Sequence, residues 1–535
     1  MTDPSEAPGE PEVDSGPSMD RRRCFRWWPA LLILLFGGGA MLFAWYGMAL
    51  DRTYQVFSLW ILLPTTMFLL LLWWLFASGL RWQTRVVGVL VVAGFLATLR
   101  LEDYKGDMIP VLRFVWETDR EARAREYFAA VSDPPSSLPG ADLAPLVVTD
   151  SDWPEFRGAS RDGRVTGVTL RSDWKKFPPR ELWRHPVGQG WGSFAVVGRR
   201  VFTQEQRGDD EVVSCWDLET GEPVWSHRDR SRFNEAMGGL GPRATPTVSG
   251  SRVYTLGPNG LLNCLDGVTG QSQWSSPPNV LDSTRGLNLE WAMSGSPLVV
   301  DDLVIVSPGG AGGGVAAFDA ETGELRWGTG DRPASYASPK LVNLGGRRIL
   351  LAFGGDGLTA YQPARGEELW HIPWTNGPRV NAAMPLVVGA NRLLISSGYG
   401  VGCGLLDMTA GTGDRPGFIW QSKSMKCKFN DPVIHEGHAY GLDEGILVCL
   451  DLETGRRRWK RGRYGYGQLL IVDDLIIVQA EKGSVTLVQA SPEKHRELGR
   501  IRALTSKTWN HPVLVGNRLL VRNADEMACY ELATE

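Results

Sequence analysis

A segment that ends in tryptophan recurs along the C-terminal part of the chain, and this repeat restricts the possible fold more than any other feature. Its best copies read CWDLETGEPVW, CLDGVTGQSQW, AFDAETGELRW and CLDLETGRRRW. Successive copies end 39 to 53 residues apart, if Leu498 is counted in the copy that lacks a tryptophan. Four short strands need about 40–50 residues, the size of one propeller blade. The spacing therefore predicts a β-propeller.

The number of copies predicts eight blades. Eight segments with alternating apolar residues, typical of strands with one buried face, run in phase with the tryptophans. They start at Phe194, Pro246, Pro297, Pro339, Pro385, Pro432, Leu469 and Pro512. The first tryptophan, Trp183, lacks the preceding half of its repeat, and that half lies at the C-terminus in ACYEL. We therefore predict an all-β, eight-bladed propeller closed by its C-terminal strand, an arrangement that leaves no open ring edge.

The recurring aspartates and tryptophans are predicted to be structural. Each D-x-x-T-G segment is typical of a hairpin turn in which the aspartate bonds the local backbone and the glycine adopts positive φ. The tryptophan that follows is large and flat, and can pack between neighbouring sheets. The predicted blade-docking residues are Trp183, Trp225, Trp274, Trp327, Trp370, Trp420, Trp459, Asp217, Asp266, Asp319 and Asp451.

The D-x-x-T-G-x-x-x-W turn resembles the repeat of the PQQ-like (pyrroloquinoline-quinone-like) propeller family. The resemblance covers about residues 152–535 and includes the lead-in DWPEFRGASRDG. That family contains a non-enzymatic scaffold, the outer-membrane assembly lipoprotein, as well as dehydrogenases that bind PQQ and calcium on the propeller axis. Membrane-bound quinoprotein glucose dehydrogenases also resemble this chain in layout. Because one fold serves both roles, the resemblance implies the fold and leaves the function open.

The N-terminal part predicts a membrane anchor over residues 21–103, after a Pro-, Glu-, Ser- and Gly-rich tail at 1–20 that we expect to be disordered. Apolar runs at about 27–50 and 56–80 are each long enough to cross ~30 Å of hydrocarbon as a helix. A third run, at about 86–101, is short, and spans only if its flanking arginines reach the interface. We predict two to three transmembrane helices.

The arginines at 21–23 predict a cytoplasmic N-terminus, because positive charge accumulates on the cytoplasmic side. If the third run spans, everything after it is extracytoplasmic; otherwise the propeller faces the cytoplasm. We predict the first arrangement, with the chain in the inner (cytoplasmic) membrane of a bacterium and the propeller in the periplasm. Residues 104–149 are expected to form a juxtamembrane helix and a Pro-rich linker before the propeller at 150–535.

A candidate ligand site lies where the inner strands begin. The position three residues before each strand start is aromatic in five of the eight blades, and amides and charges lie near it. Such a set suits a peptide, a sugar or a flat cofactor, although the same aromatics could simply plug the channel. Arg243 and Lys428 are the most informative, since a buried unpaired charge is costly. The candidate residues are Trp191, Arg243, Glu290, Trp291, Tyr336, Asn381, Lys428, Asn430, Tyr466, Trp509 and Asn510.

The sequence favours a binding function. A net charge of -4 gives no field that would attract nucleic acid. We predict a binding or scaffold module for a protein, peptide or envelope component, with no catalytic residues, metal or cofactor. The alternative is a PQQ-dependent quinoprotein dehydrogenase that binds PQQ and calcium and passes electrons to the membrane. Its calcium would need a set of oxygen ligands that the sequence does not clearly supply. A sensor would need a cytoplasmic partner, and the tail available for one is short.

Overall fold

The structure, a computed structural model, describes residues 25–48, 50–117, 119–130, 145–276, 279–310, 314–411 and 415–535. The predicted tail at 1–20 and most of the predicted linker lie outside these residues. The chain forms two compact units. One contains residues 1–50 and 54–100, and the other contains residues 51–53 and 101–535.

The first unit is helical. Its helices are Trp28–Leu42, continued by the π-helical turn Phe43–Gly47; Arg52–Leu72, continued by Trp73–Ala77; and Trp82–Ala97. The first two, over 20 and 26 residues, are long and apolar enough to cross a membrane, whereas the third has 16 residues. Small residues permit close contacts between the helices, because a Cβ on Gly37 would strike Thr66 and one on Gly88 would strike Trp74.

The second unit is an eight-bladed propeller, which confirms the predicted fold. Each blade has four antiparallel strands, and in seven of the eight these strands follow one another in the chain from the inside outward. Blade 1 contains Ala195–Val197, Arg200–Arg207, Asp210–Asp217 and Pro223–Arg230; blade 2, Thr247–Ser249, Arg252–Leu256, Leu262–Asp266 and Ser272–Ser275; blade 3, Leu298–Val300, Leu303–Val306, Val315–Asp319 and Leu325–Thr329; blade 4, Lys340–Leu344, Arg347–Phe353, Gly357–Tyr361 and Glu368–Pro373.

The ring closes with strands from both ends of the chain, as predicted. In blade 8, Cys529 of the C-terminal strand pairs with Trp183 of the first propeller strand. Blade 5 contains Leu386–Val388, Arg392–Ser397, Gly402–Asp407 and Gly417–Ser422; blade 6, Val433–His435, His438–Asp443, Ile446–Asp451 and Arg457–Arg463; blade 7, Gln468–Val472, Leu475–Gln479, Ser484–Gln489 and Glu497–Arg502; blade 8, Val513–Val515, Arg518–Arg522, Glu526–Glu531 and Arg180–Pro186.

Five repeat tryptophans bond a turn of the next blade. Trp225 of blade 1 donates its indole N–H to the carbonyl of Gly267 in the turn of blade 2, at 3.2 Å. The turn glycine Gly270 has φ +73°, and a Cβ there would lie 2.5 Å from the Trp225 ring. Glycine is therefore required both by the backbone conformation and by the approach of the indole. The same indole-to-turn bond recurs for Trp183, Trp274, Trp420 and Trp459.

Several short elements lie outside the blades. A hairpin of Leu99–Tyr104 and Pro110–Phe114 precedes the helix Arg120–Ala130, so the segment with helix-like composition begins with a strand. The strand Arg164–Val165 pairs in parallel with the inner strand of blade 7. The remaining elements are the small ribbon of Asn234–Glu235 with Gly239–Leu240 and the helix Val280–Thr284.

Candidate functional site

The residues that precede the inner strands surround one axial cavity of about 200 Å³. Inner strands begin at the same end of every blade, so positions that are far apart in sequence meet there. The rings of Trp509 and Trp191 lie 5.0 Å apart, those of Trp509 and Phe429 4.9 Å, and those of Trp291 and Tyr336 5.4 Å. Six candidate residues line the cavity: Trp191, Arg243, Trp291, Tyr336, Lys428 and Trp509.

The other candidates do not line the cavity. The Asn381 amide donates to the carbonyls of Gly354, at 2.7 Å, and Trp374, at 3.0 Å, while Asn510 donates to the carbonyl of Gly192 at 2.7 Å. These amides therefore connect loops around the ring. Tyr466 packs beside Phe429 with 5.5 Å between ring centres, Asn430 is fully buried and Glu290 is exposed.

Lys428 is bonded by the chain itself. Its ammonium donates to the carbonyl of Gly106 at 2.6 Å and to the hydroxyl of Thr53 at 3.1 Å. It also lies 5.2 Å from the centre of the Tyr466 ring. Burial lowers the pKa of Lys428 to about 8, against the opposing effect of nearby carboxylates such as Glu444. The charge is thus held by two segments that precede the propeller in sequence.

Arg243 is bonded locally. Its guanidinium donates to the carbonyl of Gly239 at 3.0 Å, lies 3.7 Å from the Glu235 carboxylate and covers the Phe233 ring at 4.7 Å. Burial lowers its pKa to about 10. Neither of the two charges that the sequence singled out is unpaired.

A third axial cation, Lys507, was missed in the sequence analysis. Its ammonium pairs with Asp103, donates to the carbonyl of Tyr104 at 3.0 Å and lies 3.7 Å from the centre of the Trp509 ring. Burial lowers its pKa to about 8. The sequence signal for Lys507 was its position two residues before the axial Trp509. Its partner Asp103 lies in a segment with no repeat, so the sequence did not indicate the pair.

Two segments that precede the propeller in sequence cover the end of the axis where the inner strands begin, which we call the mouth. These segments, Asp51–Thr53 and Glu102–Ile109, are called the cap. The Gly106 N–H donates to the Glu481 carboxylate at 2.7 Å, and a Cβ on Gly106 would lie 2.5 Å from the Tyr466 ring. The backbone N–H of Arg52 donates to Glu444 at 3.0 Å. Gly106 and Met108 thereby contribute to the cavity wall.

The lead-in segment at 153–163 also enters the axis. Phe156 lines the cavity, and His511 packs against its ring at 5.7 Å. The fully buried Arg157 donates to the carbonyl of Pro432 at 2.8 Å, and Arg161 donates to those of Pro339, at 2.7 Å, and Pro297. These carbonyls lie just before inner strands of different blades. The lead-in therefore links blades 3, 4 and 6, a role that the sequence analysis did not assign.

The cavity lining does not fit a calcium-dependent quinone site. Calcium takes six to eight oxygen ligands, several of them carboxylates. Among the lining residues the one acid is Asp431, which accepts the Met384 N–H at 2.5 Å and lies 3.7 Å from Arg157. The described residues contain no group of three His, Cys, Asp or Glu side chains that would hold a metal ion. The prediction that no cofactor binds stays a prediction.

Eight four-stranded blades around an aromatic axial cavity define this chain as a PQQ-like β-propeller. A family profile described as outer membrane protein assembly factor BamB matches residues 178–289 and 287–461, more than half of the chain. The chain therefore belongs to that family.

The named relatives include an assembly factor and a dehydrogenase. Outer membrane protein assembly factor BamB of Burkholderia pseudomallei (strain K96243) is 26% identical over 386 residues, which cover 69% of this chain and 91% of that protein. Quinohemoprotein alcohol dehydrogenase ADH-IIG of Pseudomonas putida is 27% identical over 209 residues, covering 37% of this chain and 28% of the dehydrogenase. The assembly factor thus aligns over nearly its whole length, and the dehydrogenase over about a quarter of its length.

Solved structures share the fold. BamB from Moraxella catarrhalis has a TM-score of 0.50 and 18% identity, covering 66% of this chain and 99% of that one. The quinohemoprotein alcohol dehydrogenase from Comamonas testosteroni has a TM-score of 0.55 and 14% identity, covering 78% and 85%. At these identities the likeness concerns the fold alone.

Proposed function

We propose that this chain is a membrane-anchored, extracytoplasmic propeller that serves as a binding or scaffold module in the assembly of envelope proteins. The observation that carries the proposal is the alignment with a relative named as an outer membrane protein assembly factor over 91% of that protein's length. The axial charges agree with it. Lys428 and Lys507 are bonded by the cap and are not left free for a reacting substrate.

The test is a binding experiment with the purified full chain in detergent. An unfolded outer-membrane β-barrel polypeptide carries a fluorescent label, and the chain is titrated into it. The fluorescence anisotropy of the label should rise to saturation, whereas that of a labelled soluble polypeptide of equal length should not. Depletion of the chain in the bacterium that encodes it should lower the amounts of outer-membrane proteins, and the full chain should restore them. Absent binding together with unchanged outer-membrane protein amounts would contradict the proposal.

The finer part of the proposal concerns membrane topology. The loop after the first apolar helix and the segment after the third both belong to the propeller unit, since Lys428 bonds Thr53 and Gly106. A spanning helix has its ends on opposite sides. If Arg52–Ala77 spans, Trp82–Ala97 must therefore return the chain across the membrane. At 1.5 Å per residue it is about 24 Å long, and Arg81 and Arg100 flank it. Arginines at such positions reach the interface, which makes a short span possible.

Labelling with a membrane-impermeant maleimide tests the topology in inner-membrane vesicles and intact cells. With three spans, a cysteine introduced at Gly79 should react only from the cytoplasmic side. A cysteine at the exposed propeller residue Leu325 should react only from the outside. Reaction of both sites from one side would contradict this arrangement.

The dehydrogenase is the second candidate, and the aromatic cavity is the observation that favours it. Rings such as Trp291 and Tyr336 could contact a flat quinone. PQQ titrated into the full chain with calcium present should then bind saturably and support dye reduction by an alcohol or a sugar. Such a result would replace the scaffold proposal, whereas the scaffold proposal expects no calcium-dependent binding.

A further inference from the structure

The hairpin that follows the third apolar helix has an exposed apolar face. Leu101 is 49% exposed, Leu112 53% and Phe114 37%. The face continues beyond the second strand to Trp116, which is 67% exposed and stacks on Phe114 with 4.5 Å between ring centres. Contiguous large apolar side chains of this kind mark an interaction surface when no part of the chain covers them.

Acidic residues of the first strand tie the hairpin to the helix Arg120–Ala130, and Arg120 ties that helix to blade 8. Glu102 pairs with Arg113 across the hairpin and with Arg120 at 3.1 Å. Arg120 also contacts Asp103 at 3.2 Å and Asp525 of blade 8 at 3.0 Å. All but Arg113 in this set are nearly buried. Breaking buried pairs of this kind is costly, so they hold the hairpin in place.

The position of the hairpin in the chain identifies its occupant. Its first strand begins at Leu99, two residues after the apolar helix Trp82–Ala97 ends. Tryptophan and phenylalanine on a polar-backed surface next to a spanning helix are typical of the membrane interface. Leu101, the first residue of this set, follows the last helical residue by only four positions.

Exposed cations lie at the same end of the propeller. In blade 6, Arg463 lies opposite Ile446 on the neighbouring strand. Ile446 is two residues beyond Glu444, whose carboxylate accepts the backbone N–H of Arg52 in the cap. Arg502 pairs in blade 7 with Ser484, close to Glu481, which binds Gly106. Arg461 and Lys482 add to the same rim, and all four cations are exposed. Cations near a bilayer are attracted by anionic headgroups.

We propose that the apolar face of Leu101, Leu112, Phe114 and Trp116 inserts into the interface of the bilayer that holds the apolar helices. The cations on the rims of blades 6 and 7 contact its anionic headgroups. This inference rests on the membrane anchoring in the proposed function and is independent of the scaffold activity. Within the propeller, the D-x-x-T-G turns lie at the end of the blades opposite the cap.

The test places an environment-sensitive fluorophore on the full chain in nanodiscs that contain brominated lipids. One variant is Leu112→Cys. The matched control is Leu325→Cys, at an equally apolar residue that is 43% exposed and lies two residues after a D-x-x-T-G turn. The background carries Cys24→Ser, since the six other cysteines are buried. Thermal melting of each labelled variant verifies that it is folded.

We expect brominated lipid to quench the fluorophore at 112 at least threefold more than the one at 325. Replacing zwitterionic lipid by anionic lipid should increase that quenching, and added salt should reverse the increase. Equal quenching at the two sites would overturn the inference. Shielding of site 112 from aqueous iodide without quenching by brominated lipid would also overturn it, because a protein surface would then cover the face. Retention after carbonate extraction reports anchoring separately, so a failure of this inference is distinguished from a failure of the anchor.

Discussion

The ammonium of Lys428 donates to the carbonyl of Gly106 at 2.6 Å, although the two residues are 322 positions apart in the chain. One belongs to the repeat array and the other to the cap. The bond joins sequence that precedes the propeller to the propeller axis, so the cap is an integral part of the propeller fold. Variants at this junction test how strongly the two depend on each other.

Gly106→Val should weaken the cap. The glycine is needed for space, since a Cβ there would lie 2.5 Å from the Tyr466 ring. Overpacking of this kind costs about 1–3 kcal/mol. We expect faster proteolysis within 102–116 and a lower melting temperature. Lys105→Ala, in the same turn, adds no bulk and serves as the control. Equal proteolysis rates for the two variants would show that the close contact is unimportant.

Stability should rise with pH above neutrality because of Lys428. Burial lowers its pKa from 10.5 to about 8, so between these values the unfolded chain holds a proton that the folded chain has lost. The contribution of this group to stability therefore increases with pH in that window. Below pH 8 the buried amine is protonated, and its burial destabilises the folded chain by the full amount. From pH 7 to 9 the free energy of unfolding of the wild type should increase by about 1 kcal/mol more than that of Lys428→Met.

Urea denaturation at the two pH values measures this difference. Lys482→Met, at an exposed lysine near the cap, should keep the pH dependence of the wild type. If Lys428→Met retains the same dependence, the buried amine is not its source.

Arg161→Met should destabilise the ring. The substitution leaves the carbonyls of Pro339 and Pro297 without this donor, and the partly buried Glu155 without the guanidinium that pairs with it. Breaking a buried pair in this way costs about 3–5 kcal/mol. The control is Arg365→Met, whose side chain is 76% exposed and which should change stability by less than about 0.5 kcal/mol. Similar urea midpoints for both variants would argue against a ring-linking role for the lead-in.

A double-mutant cycle tests the contact between Trp225 and Gly270. Trp225→Ala should cost about 3–5 kcal/mol through the cavity it leaves, and Gly270→Ala about 1–3 kcal/mol through strain and contact with the indole. In the Trp225→Ala background, Gly270→Ala should cost less, because the indole is gone. Strict additivity in denaturant titrations would mean that only the positive φ of Gly270 matters.

The sequence by itself determined the propeller, its eight blades and the closure that pairs Cys529 with Trp183. Each blade is built from neighbouring strands, so its turns and apolar alternation are written locally and repeat along the chain. The ring of axial positions followed from the same period, because inner strands start at one end. Seven of these eight positions line the cavity as a result.

Only the tertiary structure decided what satisfies the axial charges. The partners of Lys428 and Lys507 lie in the cap, and the donor to the Pro339 carbonyl lies in the lead-in. Both segments carry no repeat and are distant in sequence. The hairpin was also hidden: it lies partly in residues 104–149, which the sequence predicted as a helix and a linker, and Arg113 of its second strand pairs with Glu102 of its first. Local pattern specifies which strands form, whereas the docking of unique segments depends on charge pairing and shape that exist only after the ring has closed.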